Sequence, residues 1–247
     1  MNEHVSLIVP DRRAQIAGWC YLPFFVMGLS LVLWQLATLL GIAPATEEGS
    51  VRMTGLFFVM NAVVVCFFFC RFLLASTAPI RGRFVEFLFA ILVGFLGLNI
   101  LSILMQFGLN YLELYPQNLN KAMLQWHLRL DPVPLALCWV LLVPLTHECL
   151  LRGAIFAPLC RYKPWLAYLV SVPLSALAQV LPNIRLQTPH HALIAVIQYL
   201  PAAIVYACVY HRTRSIWASI FLHAMMNLLI VTLLLLRANT LALGVVI

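Results

Sequence analysis

Seven apolar stretches, each close to the length needed to cross a lipid bilayer, decide what this chain can fold into. They are Ile16–Ala43, Met53–Cys70 (extendable to Ala75), Phe84–Leu109, Pro134–Cys160, Trp165–Leu181, Ala192–Tyr210 and Ser215–Leu236. A hydrocarbon core about 30 Å thick is spanned by roughly 20 residues of helix. Lipid offers no hydrogen-bond partner to backbone groups, so each stretch must satisfy its own, as a helix. Of the 247 residues, 64% are hydrophobic and 9% charged, against about 25% charged in soluble domains. Such a chain cannot cover its surface in water. The expected fold is all-α: a polytopic membrane bundle of about seven transmembrane helices. The run Ile16–Ala43 is too long for a signal-peptide core of about 7–15 residues. Between Asn110 and Asp131 the chain turns polar and Asn-rich, with a short interfacial helix expected around Met123–Leu130.

The formal net charge is +7. No basic cluster with interleaved aromatics accompanies it, so nucleic acid is not an expected partner. The charges orient helices instead. Arg12, Arg13, Arg71, Arg81, Arg83, Arg152, Arg161, Lys163, Arg212 and Arg214 fall on one side, and Arg52, Lys121, Arg129, Arg185 and Arg237 on the other. Ten against five places the first set, and the N-terminus, in the cytoplasm. The C-terminus is then outside. Composition and loop style point to a multi-pass protein of a bacterial cytoplasmic membrane. The seven cysteines, Cys20, Cys66, Cys70, Cys138, Cys149, Cys160 and Cys208, form no CxxC pair and read as small buried hydrophobes rather than disulfides or a zinc site.

Ionisable groups at membrane depth cost at least about 2.5–3.5 kcal/mol, so they persist where they are partnered or useful. Here they gather in the last four spans. The fourth holds Thr146-His147-Glu148-Cys149-Leu150-Leu151-Arg152, in which Glu148 is the acidic residue deepest in any span. The fifth holds Ser171, Ser175 and Gln179, four apart on one face; the seventh holds His223 and Asn227, again four apart. At 1.5 Å per residue, His147 lies about 21 Å from Arg161, Gln179 about 24 Å from Lys163 and His223 about 14 Å from Arg214, so the three can meet near mid-membrane. Each has a structural alternative. Glu148 and Arg152 form an i,i+4 ion pair that could only lock helices. Ser171 and Ser175 suit a packing face. Asn61 and Asn99 read as interhelical hydrogen bonds, and His190 and His191 as exposed histidines at a helix start.

The ordered set resembles the CPBP family of intramembrane proteases, which includes CAAX prenyl endopeptidases and the lysostaphin-resistance and bacteriocin-immunity proteins. Three motifs carry the resemblance. A Glu-Glu-x-x-x-Arg motif corresponds to His147-Glu148-Cys149-Leu150-Leu151-Arg152. A Phe-x-x-x-His motif corresponds to Ser175-Ala176-Leu177-Ala178-Gln179. A His-x-x-x-Asn motif corresponds to His223-Ala224-Met225-Met226-Asn227. The likeness runs from about Pro132 to Val231 and implies a division into residues 1–131, a core at 132–236 and a short tail at 237–247. It also implies that the leading acid activates a water, that the second-motif histidine with His223 and Asn227 orients it and steadies an oxyanion, and that Arg152 supports the carboxylates.

Two positions depart from the pattern: His147 stands for the leading Glu and Gln179 for the His. An imidazole can serve as base near neutral pH, whereas a carboxamide can only hydrogen-bond. Adjacent on a helix, Glu148 points about 100° away from His147. The candidate catalytic residues are therefore His147, Glu148, Arg152, Gln179, His223 and Asn227, with no cofactor and no metal. HExxH is absent, and His147 and Glu148 diverge. The partners expected are membrane lipid and a peptide or membrane-protein segment. The expected function is peptide-bond hydrolysis with His147 as base, or peptide binding with catalysis lost. The alternatives are a non-catalytic scaffold or immunity protein and a small transporter; no duplicated pattern of broken helices supports the last.

Overall fold

The computed structural model describes residues 7–41, 45–115 and 118–242, so the end of the first expected span and of the tail lie outside the described residues. Among these, every regular element is helical. Six helices are long and apolar enough to cross a membrane, and a bent pair makes up to seven spans. The pair is α1 (Arg12–Met27) and α2 (Leu29–Leu39), bent by 60°. Then come α3 (Glu47–Arg81) and α4 (Phe84–Tyr111), followed by α5 (Leu119–Leu130), the short helix of the polar stretch. The remaining spans are α6 (Pro132–Tyr162), α7 (Pro164–Leu186), α8 (Pro189–Thr213) and α9 (Ile216–Ala242). The chain is a multi-pass membrane bundle. Its last helix continues past Arg237, where a separate tail was expected.

Lipid tails are as apolar as leucine, so helices in a membrane gain little from hiding from them. They associate through close packing and interhelical hydrogen bonds. Both occur here. Gly18 of α1 lies so close to Ala154 of α6 that a Cβ would collide with it, and Gly153 faces Phe72 and Phe69 of α3. Ala14, Leu22 and Phe25 thereby join Val65, Phe69, Leu150, Phe156 and Ile220 in one buried cluster spanning both halves of the sequence. Polar pins cross between helices. Tyr21 donates to Asn61 (2.7 Å), Trp217 to the Leu73 carbonyl (2.9 Å) and Ser215 to the Ser76 carbonyl (2.6 Å). Asn61 thus acts as an interhelical pin, and Asn99 reaches the sulfur of Met226 at 3.5 Å.

One expectation about the core is corrected. Cys149 and Cys160 are buried, but Cys20, Cys66, Cys70 and Cys208 are exposed on the outside of the bundle. In a membrane the outer face is itself apolar, so an apolar neighbourhood in sequence does not imply an interior position.

Helix α6 positions the site, and it is not a regular α-helix. Wide π turns at Cys138–Leu142 and Cys149–Phe156 interrupt it. Proline explains their placement. Pro144 and Pro158 lack the N–H that would bond the carbonyl four residues back, and their rings crowd it. Those carbonyls belong to Val140 and Ala154, one within each wide turn. Opening the turn relieves the clash, and such turns recur at functional sites. Between them stand Thr146, His147 and Glu148.

Candidate active site

The Glu148 carboxylate is fully buried and held on both oxygens. Oε1 accepts from His223 Nδ1 at 2.9 Å, while Oε2 accepts from the Ser219 hydroxyl and lies 3.2 Å from Arg152 Nε. That guanidinium faces the carboxylate as an ion pair without the alignment of a hydrogen bond, and its Nη2 donates to the Ala203 carbonyl at 2.9 Å. Tyr206 of α8 closes the far side. Its ring stacks on His223 (centroids 4.7 Å apart, 15° between planes) and lies 5.6 Å beneath the guanidinium. Three helices, α6, α8 and α9, thus converge on one carboxylate. A carboxylate can only accept, so Nδ1 of His223 is the donor to Glu148, and in the neutral tautomer of that ring Nε2 carries the lone pair.

His147 looks the other way. Its Nδ1 lies 3.0 Å from the Gln179 amide nitrogen. An amide N–H can only donate, so Nδ1 is the acceptor and the ring proton sits on Nε2. The imidazole is half-buried, edge-on to Phe25 (5.3 Å) and to His223 (5.7 Å). Gln179 is in turn fixed from α5: Asn120 donates to its backbone carbonyl (2.9 Å) and to the Tyr199 hydroxyl (3.0 Å), and accepts from Asn183 (2.7 Å). Tyr199 donates onward to Asn118 (3.0 Å).

Two cavities meet at His147 and Gln179. The smaller, about 20 Å³, is lined by Glu148, Arg152, Ser175, Tyr206 and His223 as well as these two; one water needs about 10–15 Å³. The larger, about 370 Å³, lies among Phe25, Met53, Phe57, Phe58, Met123, Trp139 and Val143, within the range of ligand pockets, about 300–1,000 Å³. Its polar lining includes Ser30, Ser50, Thr54, Asn120, His127 and Asn183.

Of the six residues singled out from sequence, five come together: His147, Glu148, Arg152, Gln179 and His223 line the small cavity. Asn227 lies apart from it. Its side chain donates to the Trp139 carbonyl at 2.8 Å, pinning α9 to the first wide turn of α6. Ser171 and Ser175 pack as expected, with the Ser175 hydroxyl bonded to the Ser171 carbonyl (2.6 Å). Ser219 and Tyr206 had not been singled out. Ser219 was legible, because it precedes His223 by four residues just as His223 precedes Asn227. Nothing in the sequence distinguishes Tyr206 from the other tyrosines of α8.

Residues 129–229 match the family model of type II CAAX prenyl endopeptidase Rce1-like proteins. This segment is Rce1-like. It runs from α6 to the first half of α9, includes all five converging residues, and agrees with the resemblance read from the motifs. The helices before it lie outside the match. No curated protein and no solved structure matches the chain. The chain is thus a multi-pass membrane protein carrying a CAAX-protease-like segment, in which His147 and Gln179 stand at two of the motif positions.

Proposed function

We propose that this protein hydrolyses a peptide bond within the membrane, using a base moved from its usual place in the family. The shared wall between the two cavities carries the reading. His147 and Gln179 separate a space for one water, beside the Glu148–His223 pair, from a space large enough for a peptide segment. Glu148 orients His223 as a carboxylate orients a catalytic imidazole, leaving Nε2 to accept a proton. Water gives that proton to Nε2 as its oxygen attacks the peptide carbonyl carbon. The carbonyl pair moves to oxygen, and the His147 Nε2–H faces the oxyanion as a donor whose tautomer Gln179 fixes. The protonated His223 then returns its proton to the departing nitrogen as the C–N bond breaks, giving a carboxylic acid and an amine. This exchanges the roles the sequence suggested: His223 fits the base, and His147 the electrophilic donor. The ten-to-five distribution of basic residues supports a cytoplasmic N-terminus in a bacterial cytoplasmic membrane.

The second reading is peptide binding without turnover. It is favoured by the saturation of Glu148, which leaves no carboxylate free to activate water. One assay separates the two: purified protein in lipid nanodiscs, a mixture of hydrophobic peptides, and products read by mass spectrometry. The expected result is cleavage by the wild type, about 10²-fold or more slower in His223→Ala and about 10²–10³-fold slower in His147→Ala. A silent wild type with an active His147→Glu/Gln179→His double variant would overturn hydrolysis and leave peptide binding.

A further inference from the structure

Another cavity, about 420 Å³, shares no lining residue with the polar centre and lies between α4 and α8. One end is ionic, with Arg83 and Glu86 at the start of α4 and Arg212 at the end of α8. Arg83 is bound to Glu86, its Nε donating at 2.9 Å. Arg212 is exposed and hydrogen-bonds to nothing among the described residues, though it interacts electrostatically with Glu86. Two guanidiniums against one carboxylate leave that end cationic. The rest of the groove is apolar, walled by Phe87, Val93, Val205 and Val209 and floored in part by glycine.

Dimensions and charge together identify an occupant. Phe87 to Gly97 is ten residues of helix, about 15 Å, half of a hydrocarbon core about 30 Å thick. The groove is therefore one leaflet deep, and its cationic end sits where that leaflet's headgroups lie. The two glycines of its floor differ. A side chain at Gly94 would strike Val209 and Leu222 at 2.7 and 2.9 Å, so this glycine serves helix packing. A Cβ at Gly97 would meet nothing within 4 Å, so the space beside it belongs to the groove. Basic pockets between transmembrane helices on the cytoplasmic side suit phosphate headgroups, and the basic-residue distribution puts Arg83 and Arg212 on that side.

We propose that one anionic phospholipid of the cytoplasmic leaflet docks here, an acyl chain along α4 past Gly97 and its phosphate against Arg212 and Arg83. The site has a structural consequence. Helix α8 presents Val205, Cys208 and Val209 to the groove and, from the same two turns, Tyr206 to His223. A chain filling the groove buttresses the wall on which the His223 ring stacks. The proposal does not depend on whether the polar centre cuts peptides.

The test is native mass spectrometry of the full chain with equal phosphatidylglycerol and phosphatidylcholine. Wild type should retain one phosphatidylglycerol at least about tenfold in excess over phosphatidylcholine. Arg83→Ala/Arg212→Ala should bring the ratio close to one, and Gly97→Leu should expel both lipids. A second reading needs no variant: alkylation of Cys208, which lines the groove, should slow about tenfold when phosphatidylglycerol is added. Equal retention of the two lipids in wild type, meaning annular lipid only, would overturn the site. So would an alkylation rate blind to phosphatidylglycerol. Protection of Cys208 by inorganic phosphate alone would reduce the groove to an anion site and overturn the acyl-chain assignment.

Discussion

Glu148 and His147 are neighbours on one helix, yet the fold treats them in opposite ways. The carboxylate is sealed, with a serine, a histidine and an arginine on its two oxygens and no exposure. The imidazole has one fixed partner, Gln179, and stands at the boundary of two cavities. A charge taken out of water is tolerable when paired and hydrogen-bonded, and very costly when not. The sealed half is therefore where the site is stabilised, and the open half is where a substrate can be met. The two positions that depart from the motif resemblance, His147 and Gln179, both lie in the open half, whereas Glu148, Arg152 and His223 of the sealed half fit it. His147 and Gln179 make a 3.0 Å hydrogen bond to each other, so the open half is organised too.

The contrast is broken most directly at Glu148. Glu148→Ala leaves Arg152 buried without its counter-charge and should cost about 3–5 kcal/mol. Removing both charges together, as Glu148→Leu/Arg152→Met, should restore most of the loss. Thermal unfolding of the three proteins decides it. A single Glu148→Ala variant as stable as wild type would mean that the carboxylate is not sealed. Next in size, Ser219→Ala deletes a hydrogen bond to a charge and should lower stability by about 1.5–3 kcal/mol. On the open half the balance should invert. Gln179→Ala removes a neutral hydrogen bond at a cavity wall, worth about 0.5–1.5 kcal/mol in stability, while freeing the His147 tautomer. Peptide turnover, or peptide affinity if there is no turnover, should then fall much more than stability does. Equal losses in both would erase the distinction between the halves.

Much of this was legible in the sequence, and what was not has physical causes. The spans could be read because bilayer thickness sets their length. Convergence of His147, Gln179 and His223 followed from counting depth along helices whose rise is fixed. Spacing gives the face of a helix, however, and not its rotation against a neighbour. Asn227 shares the face of His223, but the irregular turn of α6 offers it the Trp139 carbonyl and turns it from the cavity. The wide turns themselves depend on tertiary packing: Pro144 and Pro158 mark where a helix must adjust, not whether it kinks, breaks or widens. The 60° bend between α1 and α2 was missed for a related reason. Hydropathy runs unbroken through Pro23 and Gly28, and a run of apolar residues carries no direction. The network about Asn120 was out of reach, since the Asn-rich stretch read as a loop while its asparagines in fact clamp α5 onto α7 and α8.

The smallest expected effect tests whether the open half extends to α5, outside the spans. His127 is buried there with 3% exposure, its Nε2 3.3 Å from the Thr54 hydroxyl, and it lines the larger cavity. Burial disfavours the imidazolium and pushes its pKa below the ordinary value. As pH falls through about 6.5, the unfolded chain takes up a proton that the folded chain refuses. Stability contributed by the neutral ring is thus fully present above that pH and is lost progressively below it. The unfolding midpoint should fall between pH 7 and pH 5, and His127→Gln should flatten part of that slope while shifting the midpoint at pH 7 only slightly. A peptide bound in the larger cavity should deepen the burial of His127 and steepen the slope. If the slope is the same with and without His127, this residue titrates in contact with water, and the cavity opens to the aqueous side beneath α5 rather than closing there.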